Sequence, residues 1–270
     1  MNFTTYNGKK VAYAQEGKGS PILLLHGFCE DSRMWEDFAP DLLEEGFQLI
    51  RVDLPGFGQS EVVPDISIEE MARVVQQVLE TIQPGPVVLI GHSMGGYVGL
   101  ALARLFPKLL MGLGLFHSHP YADTPEKQAE RFKSVDFIER QGPALFVKQL
   151  LPKLFNPSFI SSNTFLLEKL TYRASKYEAE GIIAAQKAMA KRADESATLA
   201  NTALPVLFIV GKEDQTIPEG KNTEQLSLPA LADVHILPKV NHMGMFEARK
   251  KTQLIVRQFT ESCAAKNTSA

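Results

Sequence analysis

Short apolar runs bounded by glycine or proline recur along the chain, at 22–25, 49–52, 87–90 and 206–210. Their shortness and continuous apolarity predict strands buried on both faces of a parallel sheet. Residues 109–116 and 234–237 carry a weaker version of the same pattern. Between these runs the period changes. Met71, Val74, Val75, Val78, Leu79 and Ile82 fall at helical spacing, which predicts a helix over 68–82. A second helix is expected from about Met94 to Phe106, ended by Pro107. At the N-terminus, Asn7-Gly8 separates two short mixed runs, 3–6 and 11–14, as in a hairpin. Buried strands alternating with helices imply an α/β fold with a doubly wound, mostly parallel sheet.

That alternation stops between Pro120 and about Asn201, where 125–141, 143–155 and 176–192 all read as helical and no buried strand run occurs. We read residues 120–201 as a helical cap, or lid, inserted into a core formed by 1–119 and 202–270. Insertions of this kind cover the carboxyl ends of the strands, where open α/β sheets bind ligands. The competing reading is that these helices continue the outer layer of the sheet. Beyond Gln258 the tail turns polar and small and is expected to fray from about Ala264. There are no internal repeats.

Composition narrows the class. The 270 residues are 44% apolar and 22% charged, with a net charge of −3, which argues against disorder and against a general attraction to nucleic acid or anionic membrane. Cys29 and Cys263 cannot make a disulfide framework or a cysteine-rich zinc module. No apolar stretch approaches the ~20 residues that span a bilayer, and the first residues show no secretory pattern. The expectation is a cytoplasmic protein acting on a small molecule, with oligomeric state open.

The sharpest chemical signal is Gly91-His92-Ser93-Met94-Gly95, set between the run 87–90 and the helix beginning near Met94. A G-x-S-x-G in this context lifts a serine hydroxyl on a tight, strained turn, and Gly91 and Gly95 leave room for it. The helix that follows points backbone N–H groups at the same place. A serine needs a base and an orienting acid. His242, after the last strand candidate, and Asp214, after the preceding one, complete the chain order Ser93, Asp214, His242. Glu213 and Asp123 are weaker choices for the acid. His92 is assigned to packing and His235 to a structural role. For the oxyanion, the expected donors are the backbone N–H groups of Phe28, in His26-Gly27-Phe28, and of Met94. His26 is expected to pin that loop, and Cys29 to be a packed thiol.

These motifs, with Trp35 and with Asp53-Leu54-Pro55-Gly56-Phe57-Gly58-Gln59-Ser60, resemble the α/β-hydrolase superfamily, in its small esterase-like branch with a helical cap. The resemblance spans nearly the whole chain and is weakest in 120–201. It implies an α/β-hydrolase fold, the triad Ser93, Asp214 and His242 at matching positions, and a carboxylesterase-like serine hydrolase. Ala122-Asp123 with Arg131 loosely resembles the cap opening of enol-lactonase and carboxylesterase relatives. Ser93 at the elbow disfavours the relatives that use an aspartate nucleophile.

Other readings remain. Carbon–carbon bond hydrolases, enol-lactonases and a lyase use the same triad, and some members of the superfamily bind a ligand with slow turnover. His117-Ser118-His119, followed by Asp123, raises metal binding, because period two would put both imidazoles on one face. The extended metal-hydrolase pattern is not completed, and neither Gly56-Phe57-Gly58 nor Gly17-Lys18-Gly19-Ser20 completes a nucleotide-binding motif. The expectation is that no cofactor and no metal is required. Leu145, Phe146 and Phe155 are candidate pocket lining or lid core. A histidine base makes activity rise with pH through the usual imidazole range, about 6 to 7.

Overall fold

The computed structural model describes residues 1–217 and 220–267, the side chains of 221 and 222 apart. Among the described residues, eight strands form one sheet: β1 (Asn2–Tyr6), β2 (Lys9–Glu16), β3 (Pro21–Leu25), β4 (Gln48–Val52), β5 (Val87–His92), β6 (Leu110–Phe116), β7 (Val206–Gly211) and β8 (Ala232–Leu237). Their spatial order is β1-β2-β4-β3-β5-β6-β7-β8. The hairpin β1–β2 and the β2–β4 pair are antiparallel, and every other pair is parallel. Each apolar run of the sequence thus becomes a strand. β3, β5, β6 and β7 are buried along their whole length, as strands covered on both faces must be.

Helices cover both faces. α1 (Ala39–Glu44), α2 (Ile68–Ile82) and α3 (Met94–Leu105) precede β6. The start of α2 is fixed by a capping box in which Ser67 Oγ accepts from Glu70 N–H while Ser67 N–H donates to Glu70 Oε2 at 2.8 Å. Adjacent residues of β6 point to opposite sides. Leu113 lies under α3, whereas Gly112 lies under Phe259 and Cys263 of the C-terminal helix. The sheet is therefore doubly wound.

Between β6 and β7 come six helices: α4 (Pro125–Gln141), α5 (Pro143–Leu150), α6 (Pro157–Ser162), α7 (Thr164–Ala174), α8 (Ala179–Ala190) and α9 (Ser196–Asn201). The sequence reading of one helix over 143–155 is corrected. α5 stops at Leu150 and a 3-10 turn follows over Leu151–Leu154, because Pro152 has no N–H to continue an α-helical ladder. α8 begins at Ala179 rather than near Lys176. α10 (Lys221–Glu224), α11 (Gly244–Glu247) and α12 (Arg249–Asn267) complete the chain. α12 continues past Ala264, where the sequence leads one to expect fraying, to Asn267, and Cys263 is buried against Gly112. Residues 268–270 lie outside the described part. No described helix is long and apolar enough to cross a membrane.

Candidate active site

The parallel strands deliver their following loops to one edge, and the chemistry predicted from sequence gathers there. Ser93 stands between β5 and α3 with φ 49° and ψ −114°, a conformation that strains any residue with a Cβ. Surrounding bonds hold it in place. Its N–H donates to Phe116 O at 3.0 Å, and Ser118 Oγ–H donates to its carbonyl at 2.8 Å. Gly95 is demanded by crowding, since a Cβ there would lie 2.7 Å from the carbonyl oxygens of both Leu25 and His26. Met94 is the first residue of α3, so its N–H has no helical acceptor.

Asp214 and His242 meet as their positions after β7 and β8 require. His242 Nδ1 lies 2.8 Å from Asp214 Oδ2, and Asp214 Oδ1 accepts the Thr216 N–H at 2.8 Å. Both residues are buried. Burial pushes the Asp214 carboxyl upward, but the neighbouring imidazoles of His242 and His117 overcome it and hold the group well below the usual carboxylate range. The backbone of His242 is fixed on both sides. Its N–H donates to Leu154 O, in the helical insertion, and its carbonyl lies 2.9 Å from His92 Nε2.

His117 is a second partner of Asp214, one that its place in the sequence does not reveal. Its ring is fully buried, and Nδ1 is 3.4 Å from Asp214 Oδ2. The N–H groups of Gly211 and Gly244 approach its Nδ1 and Nε2, each at 3.1 Å. Burial, with His242 and His92 nearby, lowers this imidazole to about 4, against the opposing pull of Asp214. A ring that faces backbone donors has no use for a second proton. A neutral ring accepts at one nitrogen only: with Nε2 accepting from Gly244, Nδ1–H is directed at the carboxylate, and the Gly211 N–H lies close to Nδ1 without donating to it.

The remaining sequence candidates separate. Glu213 accepts from Asn156 Nδ2 and does not reach His242. Asp123 is bound by two guanidiniums, Arg131 and Arg192. Cys29 is buried and its thiol is pushed well up, chiefly by burial, as a packed thiol should be. His26 does pin its loop: Nδ1 pairs with Gly27 O at 2.8 Å and Nε2 accepts the Leu54 N–H at 2.9 Å. Asp53 holds the following turns by accepting from Ser32 and Gln59 N–H. The expectation that His117 and His119 share a face is corrected. β6 ends at Phe116, His117 takes a φ of 50°, and its ring goes to Asp214. His119 instead lies 3.2 Å from the Tyr97 hydroxyl and is lowered to about 3, first by burial and then by Arg192. Atoms of His117, Asp214 and His242 lie within 4.8 Å of one another, the set among the described residues with metal-ligand spacing.

Ser93, His242 and Phe28 open onto one cavity of about 430 Å³, a size suited to a small molecule. Phe146, Leu154 and Met189 of the insertion form part of its wall. Of the three apolar insertion residues suggested by the sequence, Phe146 lines the cavity. Phe155 is instead buried against Phe159 and Phe246, and Leu145 is exposed. Amides of Phe28 and Met94 donate to no acceptor found among the described residues.

Residues 20–248 match the family model described as alpha/beta hydrolase fold, and the chain belongs to that family of hydrolases. It is similar to the malate-bound thermophilic esterase of Thermogutta terrifontis, with 29% identity, a TM-score of 0.90 and 97% of each chain covered. The enol-lactonase of Burkholderia xenovorans shares the fold at a TM-score of 0.88 and 22% identity, covering 96% of this chain and 99% of that one. The 2-hydroxy-6-oxo-6-(2'-aminophenyl)hexa-2,4-dienoic acid hydrolase of Metapseudomonas resinovorans is 24% identical, over 91% of this chain and 85% of the relative.

Proposed function

We propose that the protein is a serine hydrolase that cleaves a small-molecule ester through an acyl-enzyme, with Ser93 as nucleophile, His242 as base and Asp214 as the orienting acid. The observation that carries this reading is Ser93 on a strained turn, opening onto the same cavity as His242, whose other side is tied to Asp214 at 2.8 Å. In the proposed reaction, Ser93 Oγ attacks the acyl carbonyl and its proton passes to His242 Nε2, while Asp214 holds Nδ1–H and stabilises the imidazolium. The backbone N–H groups of Phe28 and Met94 receive the oxyanion. The alcohol leaves with the proton from His242, and water, activated by the same imidazole, releases the acid. Residues 120–201 act as the cap that shapes the acyl pocket, a reading supported by Phe146, Leu154 and Met189 in the cavity wall. The likeness to an esterase at 29% identity supports the ester substrate.

A second reading, cleavage of a carbon–carbon bond in a dienoic acid by the same residues, is favoured by the Metapseudomonas relative. One assay separates the two: turnover of p-nitrophenyl esters of graded acyl length beside a meta-cleavage dienone, with peptide mapping after an organophosphate label. The ester reading expects ester turnover and a label on Ser93. Dienone turnover without ester turnover supports the second reading, and binding of both without turnover removes the enzyme reading.

A further inference from the structure

In the wall of the same cavity lies a largely buried acid that the proposed reaction does not use. Glu30 stands two residues beyond Phe28 and is 6% exposed. Its Oε2 accepts the Gly27 N–H at 2.8 Å and lies 2.9 Å from His92 Nδ1. The other ring nitrogen of His92, Nε2, lies 2.9 Å from the carbonyl oxygen of His242. Two loops that must be in register, the one bearing Phe28 and the one bearing His242, are thus joined through a single side-chain pair. Gly27 is confined by the same pair, since a Cβ there would fall 2.6 Å from His92 Nδ1 and 2.8 Å from Glu30 Oε2.

Hydrogen-bond partners also fix the charge. Both nitrogens of His92 face acceptors, and an imidazole that donates from both nitrogens is an imidazolium. His117, whose ring centroid is 6.2 Å away, differs in that the Gly244 N–H at its Nε2 requires that nitrogen to be an unprotonated acceptor. We infer that Glu30 and His92 form a buried carboxylate–imidazolium pair that acts as a positioning unit, tying the oxyanion loop to the loop that carries the base.

The groups facing His92 are Glu30 from the loop after β3, His117 after β6, Asp214 after β7 and His242 after β8. Burial disfavours its charged form, but the charge and hydrogen bond of Glu30, the His242 carbonyl and Asp214 outweigh that and raise the imidazole above its usual range. Glu30 is likewise pushed up by burial and held below its usual range by His92, the Gly27 N–H and His26. A buried ion pair seldom stabilises a fold better than apolar residues of the same volume, so its placement in the cavity wall with Ser93 and His242 points to geometry rather than to stability. The inference rests on the triad reading for its catalytic consequence, but the charge state of His92 stands apart from it.

The test is a two-bond ¹H–¹⁵N spectrum of histidine-labelled protein near pH 8.5, about two pH units above an ordinary imidazole. His92 is assigned by the signal lost in His92→Gln. The pair predicts a ring protonated at both nitrogens in the wild type and a neutral ring in Glu30→Gln. It also predicts a kcat lower by about tenfold to hundredfold in Glu30→Gln, with KM changed far less, as expected when reacting groups are misplaced by a fraction of an ångström. A singly protonated His92 in the wild type, with its second proton on Glu30 or lost to solvent, would overturn the inference. So would an unchanged kcat in Glu30→Gln. If that variant fails to fold, the wild-type spectrum decides alone. Failure of the triad reading shows separately, as activity retained by Ser93→Ala with the His92 signal intact.

Discussion

His117 Nδ1 lies 3.4 Å from Oδ2 of Asp214, the same oxygen that meets His242 Nδ1 at 2.8 Å. The carboxylate is therefore flanked by two imidazoles of different character, one cavity-facing and one wholly buried. His117 also meets Gly211 and Gly244, so it couples the loops after β7 and β8. Replacing it by phenylalanine keeps a ring of similar shape and removes every polar partner. Each buried N–H left unpaired costs ~1–3 kcal/mol. We expect His117→Phe to lose stability on that scale, measured by urea unfolding, and to lower kcat more than it raises KM.

Acid should destabilise the fold before carboxylates titrate. His117 and His119 have folded values of about 4 and about 3, both below the ordinary imidazole near 6.5. For such groups the unfolded chain binds more protons once pH falls below ~6.5, and stability is lost from there down to the folded values. Each contributes up to about 1.4 kcal/mol per pH unit, about half of that at pH 6.5 itself, so the two together remove roughly 3 kcal/mol between pH 6.5 and 5. His92 is raised instead, so its contribution is full below ~6.5 and is lost on the alkaline side; it does not offset the acid loss. Unfolding midpoints measured from pH 8 to 5 should peak near neutrality and fall steeply below pH 6. A flat curve there would mean that neither histidine is buried neutral.

The helical insertion rests on the core through a glycine pair. A Cβ on Gly181 of α8 would lie 2.7 Å from the carbonyl oxygen of Gly56, which has φ 85° in the loop after β4. Backbone cannot yield as a flexible side chain does. Gly181→Ala should therefore displace α8, and with it Met189 in the cavity wall, raising KM severalfold while the melting temperature falls. An unchanged KM would show that α8 does not shape the pocket.

Tyr177, between α7 and α8, donates its hydroxyl to Asp31 in the loop after β3, a carboxylate also paired with Arg33. Burial pushes Asp31 up, but Arg33 and Tyr177 hold it at about 2. Tyr177→Phe leaves that acid short of a donor and should cost ~1–3 kcal/mol at neutral pH. The loss should shrink as pH falls through about 2 to 4, where the carboxylate protonates in both states. Thermal melts of the two proteins across that range check both statements.

Some of this organisation was legible because it is local. Gly91 and Gly95 announce the elbow because the turn cannot hold larger neighbours, and the apolar runs announce strands because both faces are covered. Asp214 and His242 could be placed at the same sheet edge because each follows such a run. The insertion was legible as helical, but its boundaries were not. α7 leaves Phe165 and Tyr172 exposed, so its apolar residues do not mark a buried face. His117 and Glu30 escaped for a different reason. No spacing distinguishes a histidine that faces Asp214 from one that merely ends a strand, and Glu30 acquires its role only where three loops converge. His92 was assigned to packing, yet it links Glu30 to the His242 carbonyl. Non-local hydrogen bonding leaves no periodic trace in a sequence.

The most direct measurement of the central claim is turnover of an activated small ester by the wild type and by Ser93→Ala, on folded protein and with the spontaneous rate subtracted. The account predicts a kcat at least about 10⁴-fold lower in Ser93→Ala, with the residue above the spontaneous rate left to binding and the oxyanion donors. Activity within tenfold of the wild type would contradict it, because the bond would then be cleaved without the serine that the elbow presents.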